Sequence, residues 1–156
     1  MTFISGFDIA EVFDPASVTA ELAQEITGLV SQLTSAATAL TPDDVEAIVR
    51  SPATRLVLAR DAITKQLIGM LTLVVVPVPS GMICRIEDVV VDESERGRGV
   101  GEKLVHVGVL LAGEAGANWV DLTSRPARNT ANRLYERLGF LRRETNLYRL
   151  DLRPVT

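Results

Sequence analysis

Residues 89–101 read VVVDESERGRGVG, and this stretch decides how the second half of the chain folds. The three valines at its start predict a buried strand, and the apolar spacing that follows residue 100 predicts an amphipathic helix. Gly97, Gly99 and Gly101 stand between the two elements. Glycines let backbone N–H groups turn towards one point, and a helix N-terminus adds free N–H groups and partial positive charge. The stretch therefore predicts a strand, a phosphate-binding turn and a helix in succession.

Two common nucleotide-binding patterns do not fit this turn. A dinucleotide-binding GxGxxG would need glycine at position 102 or 104, which hold Glu102 and Leu104. A P-loop needs GxxxxGK[ST], and Lys103 has no such frame. Arg96 and Arg98 add positive charge beside the glycines. A turn that only joins strand to helix is the alternative, but it needs neither arginine, so a phosphate or pyrophosphate site is the better interpretation.

Outward from this stretch, the pattern predicts an α/β fold with a mixed central sheet and helices on both faces. Residues 79–81, PSG, predict a hairpin between antiparallel strands, and the strand–helix–strand order after residue 89 predicts a right-handed parallel crossover. The predicted strands are 3–12, 56–58, 67–78, 82–91, 119–123 and 146–152. The predicted helices are 14–33, 41–49, 100–115 and 129–138.

Length and composition restrict the class of protein. A chain of 156 residues with 47% apolar side chains fits one domain, 1–156, with an aliphatic core. A single cysteine and a single histidine argue against disulfides and against a thiolate or histidine-rich metal site, so no metal is expected. No long uncharged apolar run and no signal peptide are visible, so we expect a cytoplasmic protein without a membrane partner.

Charge is distributed unevenly along the chain. Residues 1–49 contain eight acidic side chains and no Lys or Arg, whereas residues 125–153 contain eight arginines against three acids. Two solvated faces of opposite sign explain this, and so does an anion-binding edge late in the chain. The formal net charge of −4 and the few aromatic residues near those arginines argue against nucleic acid as a partner.

Two segments resemble the GNAT N-acetyltransferase superfamily. RGRGVG at residues 96–101 matches the family's [RQ]GxG[IVL]G signature, and NRLYERLGF at residues 132–140 is similar to its N-x-x-x-x-Y-x-x-x-G-F region in shortened form. The resemblance covers about residues 55–150 well and the N-terminal helices loosely. It implies a single-domain acyl-CoA N-acyltransferase fold, with the coenzyme-binding core at about residues 82–140. It also implies acetyl-CoA as donor and an amine as acceptor, by direct attack in a ternary complex.

The resemblance implies a set of coenzyme-binding residues. Loop amides would hold the pyrophosphate, and the strand at 89–91, splayed from the strand at 119–123, would contact pantetheine. Asn129 and Asn132 either touch the coenzyme or cap their helix. The complete set is Val89, Val91, Arg96, Gly97, Arg98, Gly99, Val100, Gly101, Asn129 and Asn132.

Tyr135 and Glu87 are the candidate catalytic residues. The family places a tyrosine at the position of Tyr135 within reach of the coenzyme sulfur, where it would act as general acid; a core tyrosine bonded to a backbone carbonyl is the alternative. Family bases come from the strand that contains Glu87, which shares its alternation with Val89 and Val91. We therefore expect Glu87 to act as base or amine anchor. A bulge in this strand would exchange it with Asp88.

The sequence is compatible with more than one class of acceptor. The acidic N-terminal helices favour a cationic or neutral amine, either a small molecule or a peptide. Residues 86–91 also resemble the corresponding strand of glucosamine-phosphate N-acetyltransferases, which is the narrower alternative. A module that binds acetyl-CoA without turnover is another. The apolar final strand favours a homodimer.

Overall fold

The structure is a computed structural model that describes residues 6–154, in which five strands form one sheet in the order β1–β2–β3–β4–β5. The strands are β1 (Phe7–Glu11), β2 (Thr54–Asp61), β3 (Leu67–Val78), β4 (Gly81–Val91) and β5 (Val120–Asp121). The helices are α1 (Ala20–Leu33), α2 (Pro42–Arg50), α3 (Val100–Glu114) and α4 (Asn129–Arg137). The chain divides into two units between Thr123 and Ser124, so that α4 alone lies in the second unit.

The sheet is mixed, as predicted. β1, β2, β3 and β4 pair antiparallel with their neighbours, and the β3–β4 hairpin closes where Val78 pairs with Gly81. β5 pairs parallel with β4, through Cys84 with Val120 and Arg85 with Asp121. A parallel neighbour needs a crossover connection, which α3 provides. The predicted hairpin and the predicted crossover are both confirmed.

α1 and α2 cover one face of the sheet. Their buried side chains include Leu22, Ile26 and Val45, which form one cluster with Met70 of β3 and Val90 of β4. α2 begins at a capping box, in which the Thr41 hydroxyl accepts from the backbone N–H of Asp44 and the Asp44 carboxylate accepts from the backbone N–H of Thr41. Such a cap stabilises a helix start by about 1 kcal/mol.

α3 covers the opposite face and approaches β3 closely. A Cβ atom placed on Gly69 would lie 3.1 Å from Leu104 Cδ1 and 3.2 Å from Val100 Cγ1. The absence of a side chain at Gly69 therefore lets the first turns of α3 pack against the sheet. With α1 and α2 on the other side, helices lie on both faces, as the sequence predicts.

A β-bulge interrupts β4 at Asp88, which has a φ of 50°. Met70 pairs with Val90 and Thr72 pairs with Glu87, so that Leu71 alone lies opposite two residues of β4. The extra residue shifts the alternation of side chains by one position.

The bulge corrects one expectation about Glu87. Val91 pairs with Gly69, which faces α3, whereas Glu87 pairs with Thr72 on the same face as Met70, towards α1 and α2. The expectation that Glu87 shares a face with Val91 is therefore wrong. Glu87 shares its face with Val90 instead, because the bulge lies between them.

The N-terminal region differs in one detail from the prediction. Asp14 does not begin a long helix; its carboxylate accepts from the backbone N–H of Ala16 and caps a short 3₁₀ turn. α1 begins later, where the Thr19 hydroxyl accepts from the backbone N–H of Leu22. The strand predicted at 3–12 is present from Phe7, and residues 3–5 lie outside the described residues.

The strand predicted at residues 146–152 is not formed. This segment has no regular secondary structure, and the side chains of Leu147, Leu150 and Leu152 are largely exposed. A strand is stabilised by its neighbours in a sheet, and alternation along the sequence cannot supply that neighbour. The homodimer predicted from this segment stays a prediction.

Among residues 6–154, no helix has the length and apolarity needed to cross a membrane. The same residues contain no group of three or more His, Cys, Asp or Glu side chains placed to hold a metal ion.

Candidate active site

β4 and β5 separate beside the bulge. Their pairing comprises Cys84 with Val120 and Arg85 with Asp121, and no further pair follows among the described residues. The Arg85 guanidinium donates to Thr123 Oγ1 over 3.4 Å at the point of separation. Residues 86–91 of β4 therefore have β3 on one side and no ladder partner in the described chain on the other. An opening between strands at this place is what the family resemblance implies for pantetheine.

The loop after β4 is folded by its own polar side chains. Asp92 accepts from the backbone N–H of Ser94 over 3.0 Å and from its hydroxyl over 2.6 Å, which closes a 3₁₀ turn at Glu93–Glu95. The same carboxylate accepts from Gln32 Nε2 of α1 over 2.9 Å. These hydrogen bonds lower the pKa of Asp92, so the carboxylate stays ionised and the turn stays closed at neutral pH.

Gly97 and Gly99 form the part of the loop that precedes α3. Their φ angles are 83° and 81°, in the left-handed region that glycine adopts without strain. A Cβ atom on either would meet nothing within 4 Å, so a ligand can approach the backbone there. Gly99 is the N-cap of α3, and in the described chain no side chain caps this helix. The exposed helix start and the two glycines fit a phosphate group.

The two arginines of the loop differ in their surroundings. Arg96 is exposed, and its charge acts on Asp92. The Arg98 guanidinium is already engaged, because it donates to Asp61 over 3.1 Å and to the Gly6 carbonyl over 3.0 Å and also pairs with Glu95. Arg96 is therefore the arginine whose charge is available to an anion.

Two adjacent carboxylates lie at the bulge. Glu87 Oε1 is 2.5 Å from Arg85 Nε, in a pair that is partly exposed and so contributes little to stability. Burial raises the pKa of Asp88, and the neighbouring charge of Glu87 raises it further. A raised pKa makes Asp88 easier to protonate than an ordinary aspartate.

Asn129, Asn132 and Tyr135 are brought together on α4, in the second unit. Asn132 Nδ2 donates to the carbonyl of Arg125 over 3.1 Å and to that of Pro126 over 3.4 Å, so this amide braces the turn before the helix. Asn129 is the first residue of α4, and Arg128 is its N-cap without a side-chain hydrogen bond. This contact is not a helix cap, because the amide donates to carbonyls outside α4, and coenzyme binding by Asn132 stays a prediction.

Tyr135 is half-buried, and its ring contacts Phe140 edge to face at a centroid distance of 5.9 Å. Burial raises its pKa, and the charge of Arg128 opposes that shift. The ring contact with Phe140 does not decide between a general acid and a core tyrosine bonded to a backbone carbonyl, so the assignment of Tyr135 as general acid stays a prediction. A protonated phenol is the form that a general acid requires.

Sequence reasoning missed three residues around the loop. Gln32 bonds the start of the loop, whereas Asp61 and Gly6 bond Arg98 near its end. Each is far from the loop in sequence, by 60 residues for Gln32 and Asp92 and by 37 for Asp61 and Arg98. No local pattern indicates such partners.

Two open cavities among residues 6–154 differ in the residues that line them. One, of about 570 Å³, lies between the start of α1 and the β2–β3 turn and includes none of the candidate residues. The other, of about 530 Å³, is lined by Arg98 and Gly99 together with residues of β1 and α3. The second is therefore the one that adjoins the candidate loop.

Solved structures with a similar fold include acetyltransferases. A Trypanosoma brucei acetyltransferase is 24% identical, with a TM-score of 0.74 over 94% of this chain and 99% of that one. Glucosamine-6-phosphate N-acetyltransferase from Arabidopsis thaliana is 18% identical, with a TM-score of 0.75 over 92% and 97%. An aminoglycoside acetyltransferase from an uncultured soil metagenomic sample is 13% identical, with a TM-score of 0.80 over 97% and 100%.

At these identities the structural matches establish the fold alone. None of the curated proteins compared with the chain matches it. The model of the acetyltransferase (GNAT) family matches residues 21–140, which include strands β2 to β5, the glycine loop and α4. This chain therefore belongs to the acetyltransferase (GNAT) family.

Proposed function

We propose that the protein is an N-acetyltransferase that moves an acetyl group from acetyl-CoA to a primary amine, by direct attack in a ternary complex. The observation that carries the proposal is the open start of α3, where Gly97 and Gly99 leave the backbone accessible beside the separated strands β4 and β5. Family membership supports acetyl transfer as the reaction. The identity of the donor and of the acceptor is the part that experiments must test.

The coenzyme would be held by the backbone of the first unit. The amides of residues 96–101 and the charge of Arg96 fit the pyrophosphate, and the unpaired side of β4 around Val89 and Val91 fits pantetheine. When bound, acetyl-CoA supplies an acetyl thioester, whose C–S bond breaks as a C–N bond forms to the amine. Asn129 and Asn132 complete the proposed set, and Nδ2 of Asn132 donates to two backbone carbonyls of the turn before α4.

The amine must be neutral before it attacks. An alkyl amine with a pKa near 10 is about 0.1% neutral at pH 7, which adds roughly 4 kcal/mol to the barrier. Glu87 would accept the proton or anchor the ammonium group, on the face of β4 that looks towards α1 and α2. Tyr135 would donate a proton or a hydrogen bond to the leaving sulfur.

Glu87→Gln should lower kcat/KM for the amine about tenfold, since a general base contributes at least that much. Asp88→Asn should have a smaller effect, because the bulge directs the two side chains differently. The two substitutions are matched in chemistry and adjacent in sequence, so each serves as control for the other. Steady-state kinetics with a fixed acetyl-CoA concentration measure the effect. If Asp88→Asn lowers kcat/KM more than Glu87→Gln does, Asp88 and not Glu87 is the proposed base or amine anchor.

The acceptor is proposed to be a cationic or neutral amine, small molecule or peptide. α1 and α2 carry the acids Glu21, Glu25, Asp43, Asp44 and Glu46. No Lys or Arg precedes residue 50, so these helices provide no positive charge near their start for a sugar phosphate. Nothing in the structure favours the glucosamine-phosphate alternative over the cationic class.

Three wider features belong to the same proposal. The family model runs through the boundary at residues 123 and 124, which supports one N-acetyltransferase domain over 1–156. The lone, fully buried Cys84 suits a reducing cytoplasm. The exposed Leu147, Leu150 and Leu152 support a homodimer.

Thermal unfolding with and without acetyl-CoA tests the proposal first, with NAD and ATP as comparison ligands. A ligand at 100 times its dissociation constant stabilises the folded protein by about 2.7 kcal/mol, which raises Tm by several degrees for a chain of this size. We expect acetyl-CoA to raise Tm and NAD and ATP to leave it unchanged. In a separate assay, acetyl-CoA and a cationic amine should release the free thiol of the coenzyme. A missing shift would contradict the coenzyme site. A shift without thiol release across a broad panel of amines would favour the non-catalytic binding module.

A further inference from the structure

We propose that Gln32 and Arg98 are positioning residues that hold the loop at residues 92–99 from its two ends in the conformation that receives the coenzyme phosphates. The proposal rests on the proposed function, because it assigns the phosphates to this loop. It adds two side chains that act through the loop and do not themselves touch the coenzyme.

Gln32 secures the start of the loop from α1. Its Nε2 donates to Asp92 Oδ2 over 2.9 Å, and its Oε1 accepts from the backbone N–H of Glu93 over 2.9 Å. One amide thereby bonds a side chain and a backbone group of two consecutive loop residues. Because Gln32 lies in the last turns of a helix packed on the sheet, the loop start is tied to a rigid element.

Arg98 secures the other end against β1 and β2. Its Nη2 donates to Asp61 Oδ2 over 3.1 Å and to the Gly6 carbonyl over 3.0 Å. Asp61 is itself fixed by the turn after β2, since Oδ1 accepts from the backbone N–H groups of Ile63 and Thr64, each over 2.9 Å. Those backbone hydrogen bonds, from Thr64 and then Ile63, lower the pKa of Asp61 to about 2, and the bond from Arg98 contributes.

Gly6 leaves room for this contact. A Cβ atom on Gly6 would lie 2.9 Å from Arg98 Nη2, so a larger residue at position 6 would make the end of this flexible side chain shift. Glu95 pairs with Nη1 of the same group. With two carboxylates and one carbonyl around it, Arg98 has little charge left for a phosphate, which is why we assign it to positioning.

Glycines within the anchored loop explain why anchoring matters. Gly97 and Gly99 lose more conformational freedom on ordering than other residues do. A loop that is ordered in only a fraction of molecules binds its ligand with an affinity reduced by that fraction. Anchors that order the loop in advance therefore raise the affinity for the coenzyme without contacting it.

The test uses Gln32→Leu and Arg98→Met, with Gln24→Leu and Arg50→Met as matched controls. Gln24 is exposed on the same helix, and Arg50 is an exposed arginine that pairs with Glu46 of its own helix. Donor kinetics are measured with acetyl-CoA and with S-acetylpantetheine, which carries the same thioester without the phosphates. We expect each anchor variant to raise KM and Kd for acetyl-CoA about tenfold, because it loses hydrogen bonds and loop order. KM for S-acetylpantetheine and both controls should stay unchanged.

Two further variants protect the test against a general loss of folding. Arg98→Lys keeps one charged donor and should recover part of the affinity, whereas Gly6→Ala should shift the unaltered Arg98 and weaken acetyl-CoA binding less than Arg98→Met does. If Gln32→Leu and Arg98→Met raise KM equally for acetyl-CoA and for S-acetylpantetheine, the two residues are merely structural, and the proposal is overturned. Unchanged acetyl-CoA affinity in Gln32→Leu and Arg98→Met would overturn it too, while leaving the proposed function intact. Failure of the wild type to bind acetyl-CoA would overturn both.

Discussion

Gly99→Glu should weaken acetyl-CoA binding by more than about 100-fold, which corresponds to about 2.7 kcal/mol. Gly99 is the N-cap of α3, where helix N–H groups and partial positive charge favour an anion. A glutamate there would place a negative charge at the proposed pyrophosphate site, and like charges in such a contact repel by several kcal/mol. Calorimetry or fluorescence titration with acetyl-CoA measures the loss.

The substitution should leave the fold intact. No atom lies within 4 Å of the position that a Cβ on Gly99 would take, so the side chain causes no clash. The remaining cost is the φ of 81°, which disfavours a residue with a side chain by about 1–2 kcal/mol. Circular dichroism should show native secondary structure and a Tm lowered by several degrees.

Gly116→Glu is the matched control for this experiment. Gly116 follows the other end of α3 with a φ of 83°, and a Cβ there also meets nothing within 4 Å. The control therefore has the same strain and the same added charge away from the loop. It should keep its acetyl-CoA affinity and lose somewhat more stability than Gly99→Glu, because a negative charge is unfavourable at the C-terminus of a helix and favourable at its N-terminus. If both variants lose affinity equally, the effect is one of stability, and the phosphate site lies elsewhere.

Local patterns predicted most of the fold because local patterns determine those elements. The glycines at 97 and 99, the PSG turn at 79–81 and the start at Thr41 each need only a few neighbouring residues to act. The glycine loop, the β3–β4 hairpin and α2 were all found where predicted. The candidate loop was therefore recognisable before the sheet around it was known.

Features that depend on pairing were not predictable in the same way. The bulge at Asp88 exists only relative to β3, because it consists of two residues opposite Leu71. Alternation along β4 alone therefore placed Glu87 on the wrong face relative to Val91. The segment 146–152 failed for a related reason. Its apolar and polar residues alternate as in a strand, but the segment pairs with no other strand in the described chain.

Gln32 and Asp61, which hydrogen-bond the two ends of the loop, show the third limit of sequence reasoning. Each forms ordinary hydrogen bonds from an ordinary position, on α1 and at the end of β2. Arg98 was interpreted as a phosphate ligand because it lies between two glycines, and adjacency in sequence does not reveal which acids approach it in space. Only the packing of β1 and β2 beside the loop shows that its charge is largely compensated.

Tyr135→Phe should lower kcat about 10- to 100-fold, at the low end of general acid catalysis, because a thiolate with a pKa of about 8.5 leaves without full protonation. Its effect on the Kd of acetyl-CoA should stay below about twofold, since the substitution removes one hydroxyl and keeps the ring contact with Phe140. Rapid measurement of thiol release under saturating donor and acceptor separates kcat from binding.

The pH profile gives this prediction a second, independent check. Burial raises the pKa of Tyr135, so the phenol remains protonated throughout the range in which the amine substrate becomes neutral. Wild-type kcat should therefore rise with pH. If kcat declines below about pH 10, the same decline should appear in Tyr135→Phe, because ionisation of this phenol does not cause it. Tyr148→Phe is the matched control, because Tyr148 is 88% exposed and should tolerate the loss of its hydroxyl without any change in kcat. If Tyr135→Phe keeps wild-type turnover, Tyr135 takes no part in the mechanism. Catalysis would then rest on positioning of the amine against the thioester, because acyl transfer has enough driving force once the amine is neutral.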